Sequence, residues 1–298
     1  QGVKRVLWRP VMEDPEPVAN LGREVIGALA PIVTPVTKGG TIDFPATSRL
    51  CKWLIAKGVN GIFVAGTTGR FSDFSPEENA DLCRAIVDSV PDHVTVYGGI
   101  CDSGLSRMLA NAERMCRAGA HVAVATGPFY VSRLIEEVEA DLEQIAERSP
   151  LPVVFYSIPE FLGYGLRPAW LQEVASHSNV LGYKDSSNDL DHHLEVLART
   201  RGLAFSILIG KELLLADALR SGAKGLVVSL LHADPEPFVC MIQHATRNDW
   251  LSVNEAQMRV RRIVDEFGLL YRERPVFSTL LQYLEAKLRM QGLDVRLL

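Results

Sequence analysis

The sequence predicts an α/β chain folded as a TIM (β/α)8 barrel with extra C-terminal helices. Three observations predict it. Short apolar runs rich in Val, Ile and Ala recur eight times along the chain. Amphipathic stretches of helical spacing separate them. Eight such units in about 250 residues match the size of a closed barrel. An open doubly wound sheet is the competing architecture, but no Gly-x-Gly-x-x-Gly turn follows any of the runs.

Residues 1–25 carry Arg5, Arg9, Pro10, Asp14, Pro15, Glu16 and Pro17 without a continuous apolar core. They read as an extended N-terminal arm and not as a signal peptide. The barrel is expected over 26–248. Its strands are the runs Ile26–Val33, Gly61–Ala65, Val94–Ile100, His121–Ala125, Pro152–Tyr156, Val180–Tyr183, Ala204–Ile209 and Gly225–Ser229. Each lacks strict alternation, as strands covered on both faces do. Ser75-Pro76-Glu77-Glu78 opens a helix: a capping Ser, Pro at the first helical position, and Glu three residues after the cap. That helix is expected to reach about Val90. Arg107–Ala118, Ile135–Arg148, Pro168–His177, Leu190–Thr200, Glu212–Ser221 and Pro237–Thr246 carry similar patterns. Gly58, Gly119 and Gly222 stand where glycine ends helices. Over 249–298 the helical patterns Trp250–Phe267 and Pro275–Gln291 have no strand partner, so they cover the barrel or form a subunit contact.

Composition narrows the function. The chain has 298 residues, 47% of them hydrophobic, which permits a large core. A net charge of -5 with no basic block argues against nucleic acid or an anionic membrane as partner. No apolar run approaches a membrane span. Five scattered cysteines (Cys51, Cys83, Cys101, Cys116 and Cys240) form no Cys-x-x-Cys pair, which suits reduced thiols in the cytoplasm. No metal is expected: His192-His193 reads as a surface pair on a helix, with no carboxylate spacing to support a ligand set.

In a barrel of this kind the chemistry sits at the C-terminal strand ends. Those ends carry Gly66-Thr67-Thr68-Gly69, Thr126-Gly127-Pro128-Phe129-Tyr130, Tyr156-Ser157-Ile158-Pro159, Lys184-Asp185, Gly210-Lys211-Glu212 and Ser229. Lys184 follows a buried run, so it is either a strand-end surface residue or a desolvated amine able to attack a carbonyl carbon. A ketone imine on that amine is an electron sink for an adjacent C–C bond, and Tyr156 on the neighbouring strand can shuttle the proton. Gly66-Thr67-Thr68-Gly69 offers backbone N–H groups and two hydroxyls to a carboxylate, or is a plain turn. Glu212 reads as a first-turn helix residue or a pocket residue, Lys211 as solvated, and Cys101 as a structural thiol.

From about Gly27 to the C-terminal helices, the chain resembles the family of Schiff-base lyases and aldolases. That family includes dihydrodipicolinate synthase, N-acetylneuraminate lyase and the 2-keto-3-deoxy sugar acid aldolases and dehydratases. The motifs are Ala30-Pro31-Ile32-Val33-Thr34-Pro35, Gly66-Thr67-Thr68-Gly69, Pro128-Phe129-Tyr130, Tyr156-Ser157-Ile158-Pro159 and Gly182-Tyr183-Lys184-Asp185-Ser186-Ser187. The resemblance implies a lyase that needs no cofactor. Lys184 would form the imine with pyruvate or a related 2-oxo acid, and Tyr156 would be the general acid/base. Thr67 would relay protons to Tyr130, supplied by a neighbouring subunit of a homotetramer built as a dimer of dimers. Thr67 and Thr68 would hold the carboxylate, with Gly66, Gly210, Glu212, Phe161 and Ser229 lining the substrate pocket.

The departures from the family pattern concern the second substrate. Arg70 stands for a usual Glu, Ser157 for a usual Asn, and His232 for a common Asn. Phe161 occupies the place of an arginine that grips a carboxylate in dihydrodipicolinate synthases, which disfavours that activity. One acid, Glu212, follows the glycine after which sialic acid lyases usually carry two. The expected activity is an aldolase with a neutral or hydroxylated second substrate. The alternative is a 2-keto-3-deoxy sugar acid dehydratase using the same imine, followed by dihydrodipicolinate synthase proper and a non-catalytic 2-oxo acid binder.

Overall fold

Eight parallel strands close into a barrel in chain order: β1 Gly27–Pro31, β2 Gly61–Val64, β3 Thr95–Gly99, β4 Val122–Ala125, β5 Val153–Ser157, β6 Val180–Asp185, β7 Ser206–Ile209 and β8 Gly225–Val227. β1 pairs with β8 through Gly27, Ala28 and Leu29, which completes the cylinder. The computed structural model describes residues 24–271 and 276–298. The expected N-terminal arm therefore lies outside the described residues except for Glu24 and Val25.

The helices of the ring are α1 Phe44–Ala56, α2 Pro76–Val87, α3 Leu105–Arg117, α4 Ile135–Arg148, a short α5 Pro159–Leu162, α6 Pro168–Val174, α7 Leu190–Arg199, α8 Leu215–Ser221 and α9 Glu236–Ala245. The capping box read at Ser75 is present: its side chain accepts from the Glu78 N–H, and Glu78 accepts from the Ser75 N–H. Gly58, Gly119 and Gly222 all have positive φ where helices end. α1 is not among the helices expected from the sequence patterns, although Gly58 marks its end and its start signals are present. Asp43 Oδ1 accepts from the Ala46 N–H at 2.9 Å, Pro45 sits in the first turn, and Leu50, Cys51 and Leu54 are buried.

Three boundaries differ from expectation in ways that matter for the site. β6 extends two residues further, so Lys184 lies inside a strand and not beyond it. The expected helix over Glu212–Ser221 begins as a 3-10 turn, Glu212–Leu214, before α8. Ser229 belongs to a 3-10 turn, Ser229–His232, that follows the short β8.

Two apolar layers hold the barrel. One lies between strands and helices. The other fills the lumen with Leu29, Phe63, Tyr97, Val124, Val154, Tyr156, Leu181, Leu208 and Val227. In a regular strand, residues separated by an odd number of positions face opposite sides. Leu181 and Lys184 break that rule in β6, since Leu181 belongs to the lumen layer and Lys184 contacts lumen rings. The cause is a register shift against β5: Val153 pairs with Val180, but Val154 pairs with Gly182. One extra residue is accommodated there, as in a β-bulge. From Gly182 on, the register sets Lys184 beside Tyr156 and Asp185 beside Ser157.

Past the ring, α10 Trp250–Tyr271 and α11 Val276–Met290 replace the expected terminal helices with nearly the same limits. α10 packs on α8, α9 and α11. Among the described residues no helix is long and apolar enough to cross a membrane.

Gly182 tests the importance of the register shift. A Cβ at that position would fall on the Ser206 carbonyl oxygen of β7. Gly182→Ala is therefore expected to destabilise the barrel by about 1–3 kcal/mol, read as a lower thermal midpoint. An unchanged midpoint would show that β6 has room the structure does not reveal.

Candidate active site at the barrel mouth

A cavity of about 340 Å³ opens at the C-terminal ends of the strands. Its floor carries Lys184, Tyr156, Thr67, Thr68, Ser186 and Ser229. Lys184 is 5% exposed. Its Nζ stands 3.8 Å from the centre of the Tyr156 ring and 5.4 Å from that of Phe63. Burial drives the amine down from its ordinary value to about 7. The Cys101 and Glu212 groups oppose that shift, and Lys211 adds to it. A lysine so placed holds a substantial neutral fraction near neutral pH, which is the nucleophilic form.

Tyr156 is buried in the same floor. Burial raises its phenol above the usual value, while hydrogen bonding to Thr67 and Ser186 draws it back. It is thus a proton donor at neutral pH, with two hydroxyls beside it. Thr68 Oγ1 and Ser229 Oγ lie 2.6 Å apart and join the turn after β2 to the turn after β8. Among the described residues, neither the Thr67 nor the Thr68 amide donates a hydrogen bond within the protein. Buried amides rarely stay without an acceptor, so this turn suits an anionic one.

The backbone around the mouth is strained. Of the five described non-glycine residues with positive φ, four follow barrel strands: Ala65, Arg70, Tyr130 and Asn188. Each costs on the order of 1–3 kcal/mol, and such residues concentrate at functional sites. Gly210 is needed for space: a Cβ there would strike the Ser186 hydroxyl and come within 3.1 Å of Lys184 Cε. Glu212 is half-buried, and its carboxyl is raised by burial, opposed by the N–H of Leu230 and by Lys211 and Lys184. Leu230 N donates to it at 3.4 Å.

The remaining expected residues are placed as follows. Phe161 lines the cavity from α5 and is 56% exposed. Gly66 does not line it; its α-carbon faces the Phe63 ring. Tyr130 does not line it either and is 94% exposed, with φ of 82°. Lys211, expected to be solvated, is partly buried and pairs with Glu160 at 3.2 Å. Cys101 donates to the Val124 carbonyl at 3.8 Å and is absent from this cavity. It borders a separate cavity of about 220 Å³ beside α2 and α3, which contains neither Lys184 nor Tyr156.

The His192-His193 pair is not on the surface as expected. His193 is fully buried, with Nδ1 3.0 Å from Asp185 Oδ2, and His192 Nε2 lies 3.3 Å from the Tyr183 hydroxyl. Position 193 shares the inward face of α7 with Val196, and helical spacing alone could have revealed this. Burial pushes the Asp185 carboxyl up, but hydrogen bonds from His193 and Ser187 outweigh it and hold it below the usual range. The carboxylate thus fixes the outer face of β6 directly behind Lys184. Among the described residues no group of three or more His, Cys, Asp or Glu side chains could hold a metal ion.

Comparison with known proteins places this geometry. The model of the dihydrodipicolinate synthetase family matches residues 24–296. The chain belongs to the dihydrodipicolinate synthetase family. It is accordingly a lyase of the aldolase type. A 4-hydroxy-tetrahydrodipicolinate synthase of Xanthomonas campestris pv. campestris is 31% identical over 230 residues, covering 75% of this chain and 76% of the relative. Two solved structures share the fold. One is a prophage protein of E. coli K12 belonging to the dihydrodipicolinic acid synthase family, in complex with pyruvate. It is 24% identical with a TM-score of 0.79, over 90% of this chain and 99% of that one. The other is a 2-keto 3-deoxygluconate aldolase from Picrophilus torridus, 22% identical with a TM-score of 0.80, over 91% of this chain and 94% of that one.

The structure locates this family member's departures. Ser157 lies on the face of β5 opposite Tyr156 and does not line the cavity. Arg70 donates to the Thr34 carbonyl at 3.3 Å and stacks over Phe74, so it braces the Thr67-Thr68 turn from outside. His232 is buried, its Nδ1 donating to the Ser229 carbonyl at 2.9 Å and its Nε2 accepting from the Val33 N–H at 3.4 Å. Sequence reading missed Ser186, Asn188 and the apolar wall from α10 and α11. Ser186 lies inside the motif around Lys184 but without an expected role there, and nothing in the local pattern of the others sets them apart from other loop and helix residues.

Burial lowers the His232 imidazole to about 4, with the Ser229 carbonyl opposing the shift. An unfolded histidine takes up a proton below about 6.5. Between those values the unfolded chain binds the extra proton, so this contribution to stability is present above about 6.5 and falls as pH drops toward 4. His232→Asn is expected to show a smaller drop in thermal midpoint than wild type between about pH 7 and about pH 5. Equal drops would remove His232 from the acid response.

Proposed function

We propose that the chain condenses or cleaves 2-oxo acids through an imine on Lys184, with pyruvate or a close relative as first substrate. The observation that carries this reading is the buried Lys184 amine, lowered to about 7, beside the Tyr156 ring. In the synthetic direction, the amine attacks C2 of the 2-oxo acid and a C=N bond forms with loss of water. Loss of a C3 proton gives the enamine. C3 then attacks the aldehyde carbon, and the aldehyde oxygen takes a proton through Tyr156. Water hydrolyses the imine and frees the lysine.

Thr67 and Thr68, with their unoccupied amides, hold the carboxylate. Thr67 adjoins the Tyr156 phenol and begins the proton relay. Tyr130, which does not line the cavity of its own chain, completes the relay in a neighbouring subunit of a homotetramer. Its exposure and its positive φ, held in a loop beside exposed Val131 and Leu134, support that role. The second substrate is neutral or hydroxylated, because Phe161 supplies no cation and Lys211 is already paired. The five cysteines are unpaired, which supports a cytoplasmic location. One observation favours the dehydratase alternative: Glu212 puts a second acid with raised affinity for its proton on the same cavity. A pyruvate-release assay coupled to lactate dehydrogenase separates the two, since a dehydratase releases no pyruvate.

Borohydride reduction with saturating pyruvate is expected to leave a covalent adduct on Lys184, located by peptide mass spectrometry, and Lys184→Ala to leave none. The absence of an adduct on the wild-type chain would end the imine reading. The trapping rate should rise with pH through about 7 as Lys184 loses its proton. A rate that rises only above about pH 9 would place the amine near its ordinary value. Tyr156→Phe is expected to lower kcat by roughly 10²–10⁴-fold, measured in the condensation assay.

A further inference from the structure

We infer that the second substrate is an uncharged aldehyde with an apolar body, aromatic or branched aliphatic. The inference rests on the imine reading above and specifies the other half of the same cavity. That cavity is divided in chemistry. Thr67, Thr68, Ser186 and Ser229 line it with Lys184 at and just after the strand ends, and Asn188, Glu160, Lys211 and Glu212 line it from the segments that follow. Its apolar lining includes Phe161, Leu213, Val264, Phe267, Phe277 and Leu280. The last four come from α10 and α11, so the C-terminal helices form part of the pocket and do more than cover the barrel.

The charges point the same way. Among the described lining residues the charged side chains are Lys184, Glu160, Lys211 and Glu212. Lys184 is consumed by the imine, and Lys211 is held by Glu160 at 3.2 Å. Among the described lining residues no free cation remains for a carboxylate on the acceptor, and Glu212 adds an acid. A polyhydroxylated acceptor would set hydroxyl groups against Val264, Phe267, Phe277 and Leu280, the described lining from α10 and α11, whose side chains carry no hydrogen-bonding atom to replace water. An apolar body covers that surface instead. It also covers Phe161 and Leu213, which stand 56% and 40% exposed at the mouth although both are large and apolar. The cavity of about 340 Å³ falls within the range of small-molecule sites and leaves room beyond a three-carbon acid.

The test uses the purified chain with pyruvate and four aldehydes: benzaldehyde, 3-methylbutanal, glyceraldehyde and aspartate semialdehyde. Borohydride trapping with pyruvate alone is run in parallel. Benzaldehyde and 3-methylbutanal are expected to exceed the other two in kcat/KM by roughly tenfold or more. Phe161→Ser and Leu213→Ser, both at exposed positions where folding is least at risk, are expected to narrow that ratio. A pyruvate adduct together with equal or faster use of glyceraldehyde or aspartate semialdehyde would overturn this inference and leave the imine reading standing. An unchanged ratio in both variants would also overturn it. A missing pyruvate adduct would overturn both readings.

Discussion

An extra residue in β6 sets Lys184 and Tyr156 side by side in the barrel lumen, and the rest of the mouth depends on that pairing. Strict alternation from Leu181 would turn Tyr183 inward and Lys184 outward into the helix layer. The register shift between Val153 and Val154 reverses this. It brings the amine over the Tyr156 and Phe63 rings, where water is excluded. Desolvation then lowers the amine to about 7, so one backbone irregularity governs both where the Lys184 amine points and how readily it loses its proton.

The surroundings keep this arrangement in place. Behind β6, the fully buried Asp185 is tied to His193 and to the Ser187 N–H, which anchors the outer side of the strand. Beside it, Gly210 leaves room for the lysine stem. Across the lumen, the Thr68–Ser229 contact links the second and eighth strand ends, and His232 secures the Ser229 carbonyl to the end of β1. Strained backbone at Ala65, Arg70, Tyr130 and Asn188 is held by this framework. Rigid strands thus position the reacting groups, while the loops carry strain that a free peptide would release.

The C-terminal helices join the chemistry to the choice of substrate. Their inner faces supply Val264, Phe267, Phe277 and Leu280 to the same cavity that holds Lys184. The lysine end carries the groups on which the proposed 2-oxo acid chemistry rests. The lining from α10 and α11 differs in kind, being apolar among the described residues, and Glu212, which accepts from the Leu230 N–H, lines the same cavity. The proposed imine thus forms at the strand ends, and the proposed acceptor meets the wall from α10 and α11.

Much of this was legible in the sequence alone. Eight apolar runs separated by helical spacing determine the barrel, because strands buried on both faces need near-continuous apolar residues. The capping signals at Ser75 and the glycine helix ends are local, and local chemistry can be read from neighbours. The same applies to the motif residues Lys184, Tyr156, Thr67 and Thr68, which the fold brings to one mouth. Other features depended on partners far along the chain. The side to which Lys184 points depends on pairing with β5. The burial of His193 depends on Asp185, the paired state of Lys211 on Glu160, and the apolar wall on helices about a hundred residues beyond the lysine. Spacing along a chain sets which residues can share a face, but register and packing between distant segments decide what each side chain meets there.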